Sequence, residues 1–469
     1  MKKIYLFIIL LTSAMSCNVL DQEPQEEISD QTAFNNAKGA EAAMAGLYSQ
    51  LQKTEYYGRN FQILSDCSSD ISQSIGTWDF YREVDTYSID ASNLEIKNFY
   101  EIAYMGVNQA NNIIANVPGI ADLTDAKKDN FLGQAYFLRG LIFFDLVKMF
   151  GGVPGVAGNN GIGLPLTPST KIDESSYISR ASLADSYAQV RQDLETALTL
   201  LPASQANDGQ SRARAVKGTA RALLARYHLY MKEYDLAIGY ATDVIDDSRY
   251  IINPSFKDIF DGKLTTESIF ELEFNTADQS NIRTWYLPAS LSGRGDIAAH
   301  GDLVNEMKAN ASDVRGTMFG QVLNTDNTVS HYYPTKYQKA GNIDNFHIIR
   351  IAEMYLIRAE ARAIQGYAGA EDDLNMVRNR AGLADYSLAV DGDLILAIEK
   401  ENKFEFAFEG HRWFDLVRTG RALTVLSSVN RKNSSTPISL SNPDYLVMPI
   451  PRDETLSNQI GRASCRERV

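Results

Sequence analysis

Glu405-Phe-Ala-Phe-Glu-Gly-His-Arg-Trp-Phe-Asp-Leu-Val-Arg-Thr-Gly420 is the stretch on which the fold of this chain turns. Within it, Glu409, Arg412, Asp415 and Arg418 recur every three residues among Phe406, Phe408, Trp413, Phe414 and Leu416. Residues three apart share one face of a helix, so the spacing predicts an ionic row beside an apolar face. Charges among so many aromatics would be enclosed, and enclosed charges persist only when paired. The block therefore reads as structural. Arg412 is expected to pair with Glu409 or Asp415, and Trp413 to lie in the core with Phe404, Phe406 and Phe408, on one helix spanning 394–418.

Outward from this block most of the chain reads helical. Apolar residues at helical spacing predict helices over 33–52, with Asp30 as N-cap, and over 94–117, stopped by Pro118-Gly119. A third covers 126–150 and ends at Gly151-Gly152. The following 151–170 segment holds six glycines and three prolines and reads as loop. A helix over 182–201 precedes a hairpin over 217–247, in which Ala225 and Ala237 let two helices approach closely. A weaker copy runs over 348–381 with Ala359 and Ala370, and 126–150 suits the outer half of another pair. This is tetratricopeptide-like logic with spacing too irregular for a simple open solenoid. Arg139, Arg350, Glu353 and Glu360 are expected to tie helices together. Residues 248–337 differ: short β-like runs such as Ile269-Phe-Glu-Leu-Glu-Phe274 alternate with polar, glycine-containing text, which reads as an irregular insertion. Met448-Pro-Ile-Pro451 reads as extended.

Composition narrows the function. The 469 residues carry 45 Lys+Arg against 59 Asp+Glu, a net charge of −14, which argues against nucleic acid and against broad attraction to anionic lipid. Hydrophobic residues make up 44%, enough to bury a core. Both ends read apart from the fold. Lys2 and Lys3, an apolar run from Ile4 to Leu11 and small residues before Cys17 predict a lipoprotein signal over 1–16, with Cys17 as the lipid acceptor. Residues 17–30 read as an acidic tether and 31–459 as one helical domain carrying the 248–337 insertion. Residues 460–469 read as translated sequencing-adapter DNA, with the native C-terminus lost. Cys67, with no histidine near it in sequence, reads as a small buried residue.

Taken in order, several motifs resemble the SusD/RagB family of outer-membrane nutrient-binding lipoproteins. They are Cys17 with Leu20-Asp21 and Pro24, Gly46-Leu47-Tyr48, Ala135-Tyr-Phe-Leu-Arg-Gly140 and Lys148-Met-Phe-Gly-Gly-Val-Pro154. Arg350-Ile-Ala-Glu-Met-Tyr-Leu-Ile-Arg-Ala-Glu-Ala361, Val377-Arg-Asn-Arg-Ala-Gly-Leu383, the 405–420 block and Met448-Pro-Ile-Pro451 complete the series. The resemblance implies a mostly α fold of tetratricopeptide-like pairs with a loop-rich binding region. It also implies a lipid anchor at the outer membrane and a SusC-type TonB-dependent transporter as partner, with an oligosaccharide, or in some relatives a peptide, as ligand. Two departures stand out. Asn402 follows Glu401 where the family carries arginine, which would remove a buried ion pair. The 460–469 tail replaces the family's closing Asn-Pro-Gly-Tyr-like stretch, which would loosen C-terminal packing.

Sugar rings offer apolar C–H faces to flat side chains, so exposed loop aromatics are the expected ligand contacts. Trp78 and Tyr81 in Ser74-Ile-Gly-Thr-Trp-Asp-Phe-Tyr-Arg82, and Trp285 and Tyr286 in Arg283-Thr-Trp-Tyr-Leu287, fit, with Asp66, Asp70, Asp79 and Arg82 as polar partners. The competing reading packs one or both tryptophans onto the scaffold. Catalytic patterns are missing: His228, His300, His331, His347 and His411 form no zinc motif, and no nucleophile elbow, phosphate loop or EF-hand occurs. Paired carboxylates for glycoside hydrolysis stay open. The expectation is a binding protein with no catalysis, cofactor or metal; a helical scaffold that binds only its membrane partner is the alternative. Sequencing the genomic locus checks the tail, whose ten codons should be absent.

Overall fold

The computed structural model describes residues 34–156, 161–167, 178–431 and 438–457. The 1–16 leader, Cys17, the acidic tether, the 460–469 tail and parts of the glycine-rich loop lie outside the described residues. Helix α1 (Ala37–Gln52) starts at Asn36, whose Oδ1 accepts the Gly39 N–H at 3.0 Å, so the cap is Asn36 and not Asp30. Then follow α2 (Asn60–Cys67), the short α3 (Asp79–Asp85), α4 (Leu94–Asn116), α5 (Asp125–Leu146) and α6 (Leu183–Leu200). Next are α7 (Lys217–Tyr230), α8 (Tyr234–Ile245), the short α9 (Ile282–Tyr286), α10 (Ile351–Gln365), α11 (Ala370–Arg380), α12 (Leu394–Glu405) and α13 (Arg412–Arg418). Among the described residues, no helix is long and apolar enough to cross a membrane.

The helix pairs pack α5 on α6, α7 on α8 and α10 on α11, in the tetratricopeptide-like manner. Small residues permit the approach: Ala225 and Ala237 are buried at the α7–α8 contact, and a Cβ on Gly140 of α5 would stand 3.0 Å from Leu194 of α6. Arginine–carboxylate forks then fix neighbouring helices. Arg139 grips Asp193 at 2.9 and 2.7 Å, Arg226 grips Glu353 at 2.5 and 2.6 Å, and Arg418 grips Glu360 at 2.6 and 2.7 Å. Cys67 is buried, as expected of a small apolar residue.

Short strands are woven through the irregular region. Strands β1 (Ser72–Ser74), β3 (Ile297–Ala299), β5 (Val329–Pro334) and β4 (Phe319–Leu323) form one antiparallel sheet in that order. Strand β2 (Ser268–Leu272) pairs with β6 (Phe346–Arg350), which leads directly into α10. The 394–418 helix is two helices, not one. Phe408 (φ 64°) and Gly410 (φ 77°) take left-handed conformations between α12 and α13. The break frees the Phe408 carbonyl to accept Gln62 Nε2 at 2.6 Å and the Tyr337 hydroxyl at 2.9 Å.

That break also changes the ion pairs expected of the block. Glu409 leaves the helical row and meets Arg350, at 2.8 and 2.9 Å, and Lys336, at 2.7 Å. Arg412 turns to Asp70, at 2.7 and 3.0 Å, and to Glu399, at 3.1 Å. Trp413, Phe404, Phe406 and Phe408 are all in the core. Asn402 donates back to the Ile398 carbonyl at 3.2 Å, while Glu401 keeps an arginine partner in Arg315 at 2.5 Å.

Arg350 is the hub. Its guanidinium reaches Glu267 at 2.6 Å, Glu405 at 2.7 Å and both oxygens of Glu409, and it lies over the Phe406 ring at 4.6 Å. Arg380 also binds Glu267 and Glu405, and Arg315 binds Asp313, Glu401 and Glu405. Burial opposes ionisation of Glu405 and Glu409, but the surrounding cations win and hold both carboxyls below the usual range. Arg350→Met leaves those carboxylates short of a partner and is expected to lower stability by about 3–5 kcal/mol in urea unfolding. Both acids titrate lower folded than unfolded, so their contribution is full above the ordinary carboxylate range and is lost progressively as pH falls from that range towards their lower folded values. Urea midpoints should therefore drop between about pH 5 and 3, and less steeply in Arg350→Met.

Candidate functional site

The two tryptophan segments, far apart in sequence, meet in space. Pairing of β1 with β3 carries the chain onward so that Ile75 and Gly76 donate to the Asp296 carbonyl at 2.7 and 3.0 Å. Gly76 is needed there, because a Cβ would stand 2.2 Å from the Asp296 side chain. The next residues present Trp78 at the start of α3, while α9 presents Trp285. The two indoles meet edge to face at 5.9 Å, and Tyr81 meets Trp285 edge to face at 5.0 Å. Arg59 and Arg294 lie over Trp285 at 5.1 and 4.6 Å, and Arg294 also lies over Trp78 at 5.5 Å.

Exposure divides the expected ligand residues. Trp78 is half-buried, Phe80 beside it is half-buried, and Asp79 and Arg82 pair with each other at the surface with 68% and 43% of their side chains exposed. Arg294 is exposed to 43% while it pairs with Asp296 at 2.8 Å. By contrast Tyr81, Trp285, Tyr286 and Asp66 are buried, so the premise of exposed loop groups is corrected for these four. The reason is local. Each lies on or beside a short helix whose inner face meets the core, and each has a protein partner. Tyr81 donates to Asn60 Oδ1 at 2.9 Å, and Tyr286 donates to Asp66 Oδ2 at 2.7 Å. Asp70, held by Arg412, is spent on the scaffold.

The surface that remains is Trp78 with Phe80, rimmed by Asp79, Arg82 and Arg294. Arg59, Glu95, Asn60 and Arg294 were not legible as site residues. Arg59 and Arg294 sit in short glycine-flanked runs, and Glu95 opens an ordinary helix, so only tertiary pairing reveals them. Among the described residues no group of three or more His, Cys, Asp or Glu stands together as a metal-ligand set. The carboxylates around Trp78 are engaged: Asp79 by Arg82, Asp296 by Arg294, and Glu95 by Arg59, Asn60 and the Trp78 indole.

Two family models match the chain, one described as the SusD family over residues 293–459, the other as starch-binding and associating with the outer membrane over residues 18–229. A SusD-like protein of Formosa agariphila is 27% identical, over 96% of this chain and 97% of the relative. Among solved structures, a SusD superfamily protein of Bacteroides thetaiotaomicron superposes with a TM-score of 0.77 at 25% identity, covering 90% of this chain and 98% of that one. A laminarin-binding SusD-like protein superposes with a TM-score of 0.76 at 22% identity, covering 91% and 99%.

Asp66 gives a test of the burial assigned to this region. Burial pushes its carboxyl up to about 7, against the opposing Tyr286 hydroxyl and Lys336 charge. An acid whose folded value is raised disfavours folding once the unfolded chain ionises, so stability is lost as pH rises from about 4 towards 7. Asp66→Asn keeps an acceptor for Tyr286 and removes this loss. It should melt higher than wild type at pH about 8 and differ little at pH about 4.

Proposed function

The chain belongs to the SusD family, and from that premise we propose that it captures oligosaccharides at the cell surface and delivers them to a SusC-type TonB-dependent transporter. Cys17 would carry the lipid that anchors it to the outer membrane. The observation that carries this reading is the half-exposed Trp78, braced by the buried Trp285 and rimmed by Asp79, Arg82 and Arg294. An indole face suits the C–H face of a sugar ring, and a braced ring loses little freedom on binding. The rim supplies both acceptors and donors for hydroxyl groups: the Asp79 carboxylate and the guanidinium nitrogens of Arg82 and Arg294. The starch-binding description of the matching family model, and a fold neighbour that binds laminarin, support a glycan over a peptide.

A binding role fits the carboxylates better than a hydrolytic one. Glycoside hydrolysis needs one acid held protonated and a second free to act as base or nucleophile. Around Trp78, Glu95, Asp79 and Asp296 each accept from an arginine, so none of the three stands without a cationic partner, as the acid of such a pair would need to.

Trp78→Ala should weaken binding of maltoheptaose, laminarihexaose or whichever array glycan binds most tightly by at least about tenfold, or about 1.4 kcal/mol, in a protein that still folds. Calorimetry provides the measurement. Unchanged affinity would remove Trp78 from the site, and tight binding of peptides with no glycan signal would replace the ligand class. Trp285→Ala is not an equivalent probe, because emptying a buried indole site costs about 3–5 kcal/mol of stability.

A further inference from the structure

We infer that Glu95 is the positioning residue of the aromatic site: its carboxylate sets where Trp78 stands and thereby how tightly a glycan is held. The inference rests on the glycan-site proposal for Trp78. Glu95 lies in the first turn of α4, where Asn93 Oδ1 accepts the N–H groups of Glu95 and Ile96, each at 3.2 Å. The Glu95 side chain is 3% exposed. Its Oε1 accepts the Trp78 indole N–H at 2.9 Å. Its Oε2 accepts Arg59 Nη2 at 2.5 Å and Asn60 Nδ2 at 2.8 Å.

From this carboxylate the bonds fan out to both aromatic segments. Asn60 passes the constraint to Tyr81, whose hydroxyl donates to Asn60 Oδ1 at 2.9 Å. Arg59 passes it to Trp285, over whose ring its guanidinium lies at 5.1 Å. An indole has a single polar atom, the N–H donor, so the acceptor it finds selects its rotamer. Trp78 is the one of these aromatics that is half-exposed, and the bond from its indole N–H to Glu95 is the hydrogen bond that orients it.

The chemistry makes the residue type matter. A carboxylate is acceptor only, with two oxygens for three donors. Glutamine at the same position would offer one oxygen, and its amide N–H₂ would confront either the Trp78 indole N–H or the Arg59 and Asn60 nitrogens, all of which donate here. At least one of Trp78, Arg59 and Asn60 would have to let go, although the size and shape of the side chain are unchanged.

The test uses the full-length protein and the tightest ligand found for the wild type on a glycan array. Glu95→Gln should weaken that glycan at least about tenfold and shift the Trp78 signal in fluorine NMR of fluorotryptophan-labelled protein. Trp78→Phe, which keeps an aromatic face and deletes the donor, serves as the second variant, should Glu95→Gln fail to fold, and should also weaken binding. In the double variant the losses should be less than additive, because both remove the same bond. Equal affinity of Glu95→Gln and wild type, with binding lost in Trp78→Ala, overturns this inference and leaves the glycan site standing. Additive losses with an unmoved Trp78 signal overturn it too, since Glu95 would then act elsewhere. A wild type that binds no glycan on the array removes the site reading and this inference together.

Discussion

Arg350 holds the structure together at the point where its two kinds of architecture meet. It ends strand β6 and opens helix α10, so its backbone belongs to the sheet and to the helical scaffold at once. Its guanidinium spans Glu267 of the irregular region, Glu405 at the end of α12 and Glu409 in the break before α13. A bare guanidinium at 1% exposure would be prohibitively costly to enclose, and the same holds for three bare glutamates. Each is tolerable only because the others are there. The interaction thus fixes geometry more than it adds stability: misplacing any one element leaves a charge stranded without water.

The rest of the fold repeats this arrangement on a smaller scale. Helices packed on small residues are then fixed by arginine forks, α5 to α6 through Arg139, α7 to α10 through Arg226 and α10 to α11 through Arg358. Lys336 and Arg315 extend the network from Arg350 into the region that carries the sheet β1-β3-β5-β4. Because β1 and its neighbour β3 belong to the unit that presents Trp78 and Trp285, the ionic hub and the aromatic site are joined through that sheet. The hub fixes the irregular region on the scaffold, the β1–β3 pairing fixes the two segments on each other, and Glu95 orients the indole that faces out.

Function at such a site depends on sparing a few groups from the core. Three tryptophans illustrate the gradient. Trp413 is wholly buried beside Phe414, Trp285 is buried between two arginines, and Trp78 keeps part of its ring at the surface. Similar local text surrounds all three, each with a polar residue directly before it and an aromatic one within two residues after it. What separates them is how much scaffold closes over each one.

The sequence by itself determined the helix pairs, the helix-tying roles of Arg139, Arg350, Glu353 and Glu360 and the core role of the 405–420 block. These follow from periodicity and from the rule that buried charge must be paired, both of which act over a few residues. The helix end at Pro118-Gly119 was legible for the same reason, whereas the first N-cap, read at Asp30, fell at Asn36. Only the tertiary structure decided that the 394–418 segment breaks at Phe408 and Gly410, since the carbonyls released there answer donors from Gln62 and Tyr337, hundreds and tens of residues away. It likewise decided that Asp70 serves Arg412, that Asp66 and Tyr286 close on each other in the interior, and that of the four expected ligand aromatics Trp78 keeps contact with solvent. Pairing between distant segments and the exposure that survives it are properties of the packed chain, because no local spacing encodes which surface another segment will cover.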